Sequence, residues 1–176
     1  MRNPPRSSRP PRQTGAAIVE FAIIGSLLLA FIYAIFEFGR MMFVYNSMQE
    51  ISRRGAREAA VRWITETSAI KNVALFGAST LPGGPEVTQS NIYIRYLRAN
   101  GVDEVSNPPS DAGDNMAACS DVTRAAECIM FVEVSVRNVE YKPMIFNPAA
   151  MTTSRRSSAM PKATTVVYAE SLGFTN

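Results

Sequence analysis

Residues 16–36 run AAIVEFAIIGSLLLAFIYAIF, apolar except for Glu20, Ser26 and the amphipathic Tyr33. As a helix with a rise of 1.5 Å per residue, such a run spans about 31 Å, the thickness of a hydrocarbon core. It exceeds the usual apolar stretch of a cleavable secretory signal, and no small-x-small cleavage pattern follows close behind. The run therefore predicts one membrane-spanning helix that stays attached. Its one acid is costly. A charge at mid-bilayer costs about 2.5–3.5 kcal/mol on insertion scales, so Glu20 needs a partner, a route to water or a function. It lies about 7 Å into the helix by rise, close enough to the headgroups for its carboxylate to reach water as a shallow interfacial acid.

The flanks set the topology. Residues 1–14, MRNPPRSSRPPRQT, hold Arg2, Arg6, Arg9 and Arg12, four prolines and no acid, and predict a disordered basic arm. Taking those four arginines from the 18 basic residues leaves 14 against 15 acidic ones, so the formal charge of +3 belongs to the leader. That placement speaks for membrane topology and not for a nucleic-acid partner. Arg40, Arg53 and Arg54 flank the far end, and the count favours the N-terminus inside. Cys119 and Cys128, both beyond the anchor, fit either a single disulfide in an oxidising compartment, which supports the same orientation, or two buried thiols.

Beyond the span, Met41, Met42, Tyr45, Met48, Ile51, Gly55, Ala59 and Trp63 recur at three- and four-residue steps. No proline interrupts residues 13–81. The pattern predicts one helix from about 16 to about 72, amphipathic in its outer half. GASTLPGGPEVTQSN, 77–91, reads as turns. Alternating segments follow at 92–98, 129–141 and 162–171, the middle one with Met130, Val132, Val134 and Val136 on one face and Glu133, Ser135 and Arg137 on the other. The expected fold class is α+β and pilin-like: the long N-terminal helix packs on a small antiparallel sheet of about three or more strands. The expected organisation is a leader at 1–15, a transmembrane helix at 16–36, its amphipathic continuation at 37–76, and a β-rich extracytoplasmic domain at 77–176. Long polar connections at 99–118 and 142–161 are where a binding surface would sit.

Catalysis has little to work with. The chain contains no histidine, which removes the commonest general base and metal ligand. PGGPE lacks phosphate-loop spacing, and Asp111, Asp114 and Asp121 lack the spacing of a calcium loop. No serine, cysteine or acid has an identifiable base or orienting partner. No catalytic site, metal or cofactor is expected.

Gly15, four residues, then Glu20 and Phe21 at the head of an apolar helix, after a short basic leader, resembles a type IV prepilin processing site. GAAIVEFAI, the acid in FEFGR at 36–40 and SRRGAREAAV at 52–61 most resemble the TadE-like pseudopilins of the Flp/Tad pilus system, over residues 15 to about 61. That resemblance implies cleavage between Gly15 and Ala16 by a membrane-embedded prepilin peptidase. It implies that Glu20 pairs with the freed N-terminal amine of a subunit in a helical assembly, and that the partners are other pilins and pseudopilins and the inner-membrane pilus assembly platform. It also implies a bacterial inner-membrane location and roles in adherence and biofilm formation. From the residues alone, Ala22, Ser26, Ala30 and Ala34, with Gly25 beside them, form a small-residue row of the kind that lets membrane helices approach, although alanine is common in any such helix. Glu37 and Arg40, three apart at the membrane exit, are placed to cap the span or to meet a neighbouring subunit. The alternative is an unprocessed single-pass protein whose extracytoplasmic domain binds a ligand or an envelope partner.

Overall fold

The computed structural model describes residues 14–144, 158–169, 172 and 173. Residues 1–13 of the expected leader, part of the 142–161 connection and the end of the third expected strand lie outside the described residues. Helix α1, Thr14–Ala59, is continuous over 46 residues, about 69 Å at 1.5 Å per residue. Its two halves live in different surroundings. From Ala16 to Phe36 every side chain is exposed and Gly25 is half-exposed, whereas Val44, Met48, Ile51, Ser52, Gly55, Ala56 and Ala59 are buried. Those positions make one stripe at helical spacing, the width needed to face a core.

The stripe packs on a three-stranded antiparallel sheet of β3 (Ile92–Leu97), β4 (Phe131–Val136) and β7 (Ala163–Tyr168), with β4 in the middle. Alternation along β4 sends Val132, Val134 and Val136 into the core, where each fully buried aliphatic side chain contributes about 1.5–3 kcal/mol. The other face carries Leu97 and Val166 together with polar and aromatic pairs: Arg95 lies opposite Glu133 and bonds it at 3.4 Å, and Phe131 meets Tyr168 edge-on at 4.8 Å. Ser52 pins helix to sheet, its hydroxyl donating to the Gln49 carbonyl at 2.8 Å and hydrogen-bonded to the Thr165 hydroxyl at 2.9 Å. The long helix on a small antiparallel sheet agrees with the expected α+β class.

Three local expectations are corrected. The helix does not run to residue 72. It stops at Ala59, and after a turn with Trp63 extended (ψ 152°) and a 3₁₀ turn at Ile64–Glu66, the short helix α2, Thr67–Ala74, folds back. Val61, Ile64, Thr65 and Thr67 are poor helix formers, and ending the helix lets Trp63 and Ile64 pack against Val105, Ile129 and Leu172 in a second apolar cluster. Arg62 straddles the break, paired with Glu58 on one side and Glu66 on the other. The stretch 77–91 is not only turns: β1 (Thr80–Leu81) and β2 (Gly84–Thr88) form a hairpin that buries Leu81 and Val87. The single strand expected at 129–141 is two, because Asn138 adopts a left-handed φ of 59° and separates β4 from β5 (Glu140–Tyr141), which pairs with β6 (Ser158–Ala159).

Helix α1 meets α2 and β4 at Gly55, where an added Cβ would lie 3.0 Å from Val134 Cγ1 and 3.3 Å from Ala74 Cβ. Gly55→Leu is expected to cost about 1–3 kcal/mol by overpacking, read as a lowered unfolding midpoint in detergent. Gly39→Ala, whose Cβ meets nothing within 4 Å, is expected to leave the midpoint unchanged or raise it.

Candidate functional site

Among the described residues, nothing packs against the N-terminal end of α1. An added Cβ at Gly15 would meet nothing within 4 Å, and Ala16 and Glu20 are exposed. Among the described residues Glu20 has no hydrogen bond or ion pair. Ala22, Ser26, Ala30 and Ala34 are exposed in their row. Ser26 Oγ donates to the Ile23 carbonyl at 2.8 Å, so its hydroxyl is satisfied within the helix and close approach of a second helix would strand no polar group. The most apolar 18-residue window of α1 has a mean hydropathy of 2.4, and none of it is buried. Such a helix is compatible with single-pass membrane anchoring.

At the other end of that run, Glu37 and Arg40 do not stand alone. Their direct contact is loose, Arg40 Nε to Glu37 Oε1 at 3.8 Å. The stronger bonds go outward into the domain. Arg40 Nη1 lies 3.2 Å from Glu86 Oε1, on β2, and 3.3 Å from the Gly83 carbonyl at the hairpin tip. Its Nη2 donates to the Lys142 carbonyl, and the guanidinium lies 4.6 Å from the centroid of the Tyr141 ring. Glu37 accepts from the Tyr141 hydroxyl and, through both carboxylate oxygens, from the Met144 backbone N–H at 3.3 Å. The Glu86 side chain is only 3% exposed and that of Arg40 15%. Burial first, and then the hydrogen bond to Glu37, pushes the Tyr141 phenol up from 10.0 to about 12, against the opposing pull of Arg40; it stays a neutral donor at physiological pH. One arginine thus ties the helix to the hairpin and to the segment after β5.

Helix α1 carries both the bare apolar run and the core stripe. Residues 15–57 match the family model of TadE-like protein. Over that stretch helix α1 is similar to TadE-like protein. The match begins at Gly15 and ends two residues before Ala59, so it covers the bare apolar run, the exit pair Glu37 and Arg40, and nearly all of the buried stripe. No curated protein and no solved structure matches the chain.

The rest of the domain adds features that the TadE-like segment does not include. Cys119 and Cys128 are joined by a disulfide, Cα atoms 4.7 Å apart, tying the end of α3 (Ala112–Ser120) to the segment that leads into β4. Helix α3 was expected as loop. Its signal is local: Asp111 caps it by accepting from the Asp114 N–H at 2.8 Å. The hydrogen bond from Arg124 holds the Asp114 carboxyl below its ordinary value. Glu86, Tyr141 and Met144 were not anticipated as partners of Glu37 and Arg40. They are 46 to 107 residues away along the chain, and no local pattern marks them.

Removing Arg40 would leave the Glu86 carboxylate buried without a cation, which for a buried pair costs about 3 kcal/mol. Arg40→Met is expected to lower domain stability by that order, and Arg40→Met combined with Glu86→Leu to restore most of it. Chemical unfolding of the full chain in detergent, followed by near-UV circular dichroism, measures both.

Proposed function

We propose that this chain is a pseudopilin of a Tad-type pilus, made as a prepilin and cut between Gly15 and Ala16 by a prepilin peptidase. One observation carries the reading: a match to TadE-like protein that starts on Gly15 and covers an apolar helix whose first half packs on none of the described residues. Relation to Tad-pilus proteins and suitability for membrane anchoring follow from that match and that helix. Cleavage, self-association and binding to other pilins and to the inner-membrane assembly platform are the finer reading.

The physical case runs through Glu20. Cleavage after Gly15 frees an ammonium four residues before Glu20, and in a stacked array the ammonium of one subunit reaches the carboxylate of another. A charge pair inside a membrane or a fibre core sets register more than it adds stability. The row Ala22, Ser26, Ala30 and Ala34, with Gly25, brings helix backbones close enough for that register to be read. In this reading the N-terminus is cytoplasmic, the C-terminal domain and its disulfide lie outside the inner membrane, and the protein acts in adherence and biofilm formation without catalysing a reaction.

Position 15 has open space around it, so Gly15→Leu tests processing without disturbing the fold. Expressed with an active prepilin peptidase, Gly15→Leu is expected to accumulate at the unprocessed mass. Glu20→Ala is expected to be processed normally but to lose crosslinks to neighbouring pilins. A Gly15→Leu chain trimmed like the wild type would contradict the reading and favour an unprocessed anchor with a binding domain.

A further inference from the structure

The membrane-exit cluster fixes more than the helix. Met144 N–H is held by the Glu37 carboxylate, one residue beyond the end of the apolar run at Phe36. The hairpin tip is held at the same level: Arg40 bonds the Gly83 carbonyl, and an added Cβ on Gly83 would lie 3.2 Å from Phe43. The domain therefore has a base at the height where α1 leaves the apolar run. Its surface chemistry is distinctive. Met144 is 72% exposed, and Pro82, Pro85 and Lys142 are exposed beside it. The two carboxylates at this level, Glu37 and Glu86, are turned inward onto Arg40 and Tyr141. Glu140 is exposed, but alternation along β5 puts it on the side opposite the buried Tyr141.

We propose that this base, Met144, Lys142 and the Pro82–Pro85 hairpin tip, is a foot that rests on the bilayer surface. Met144 enters the interface and the Lys142 ammonium meets lipid phosphate. The proposal rests on α1 crossing the membrane, and the occupant follows from continuity with that span: a group bonded to residue 37 cannot lie far from the headgroups that residue 36 reaches. An apolar side chain next to a lysine on an aliphatic stem is the combination that settles at a headgroup boundary. Inward-turned acids remove the repulsion that an anionic surface would otherwise present. The foot fixes the height and tilt of the domain over the membrane, where a bare helix alone would leave it free to swing.

The test uses the full chain reconstituted in phosphatidylcholine–phosphatidylglycerol vesicles that carry bromine on the acyl chains, near the headgroup or near the chain end. Three exposed positions each receive a tryptophan, Met144→Trp, Leu28→Trp and Val122→Trp, and quenching is read as the difference from the wild type with its single Trp63. Val122, 91% exposed, follows the disulfide-tied helix α3, at the end of the sheet away from Tyr141. The expected result is quenching at 144 by bromine near the headgroup, at the depth of about 5–10 Å typical of interfacial apolar groups. Position 28 is quenched by deep bromine and position 122 by neither. Quenching at 28 with none at 144 overturns the foot and leaves the anchor standing. Equal quenching at 144 and 122 overturns it as well, since the domain would then lie flat. No quenching at 28 removes the membrane span and the foot together.

Discussion

Everything in this molecule depends on the seam between residues 44–59 of α1 and the apolar face of β4. Val44, Met48, Ile51, Ala56 and Ala59 on the helix and Val132, Val134 and Val136 on the strand are fully buried, and the hairpin and α2 close the same cluster. A sheet with one apolar face must bury that face against another element. The cover here is the distal half of the anchor helix. The domain and the anchor therefore share one rigid rod, and any force or constraint on the apolar run is transmitted directly into the core.

That sharing explains why the exit cluster is built as it is. If α1 crosses a membrane, its last charges lie near lipid, where water is scarce and charges need partners. Arg40 does this by bonding Glu86, Gly83 and Lys142 at once, and Glu37 by accepting from Tyr141 and Met144. The bonds run to two chain segments distant in sequence, so the cluster also closes the base of the domain around the helix. The TadE-like match spans both halves of this arrangement, anchor run and buried stripe, which fits a family signature located in the shared rod.

Much of this was legible in the residues because it rests on local periodicity. The apolar run at 16–36, the stripe through Met48, Ile51, Gly55 and Ala59, and the alternation at 92–98 and 131–136 each carry their own signal. The cysteine pair allowed a disulfide by compartment chemistry, and the structure forms it. The misses have physical reasons. The end of α1 at Ala59 depends on what Trp63 gains in the second cluster, a tertiary term that no helical window contains. The β1–β2 hairpin lies inside a Pro-Gly-rich stretch whose flanking strands are too short to carry a periodic signal. The partners of Glu37 and Arg40 come from β2 and from the segment after β5, so their pairing with the exit residues exists only once the fold does.

The N-terminal end holds the central claim. Gly15 is unobstructed and Glu20 is exposed on a bare apolar helix, an arrangement that has a physical purpose if an ammonium is delivered beside that carboxylate. The direct measurement is the intact mass and first residue of the wild-type protein extracted from its native membrane, in cells whose prepilin peptidase is demonstrably active. The account predicts an N-terminus at Ala16. A chain still carrying its arginine leader under those conditions would contradict it and leave Glu20 as an acid at the membrane interface with no pairing role.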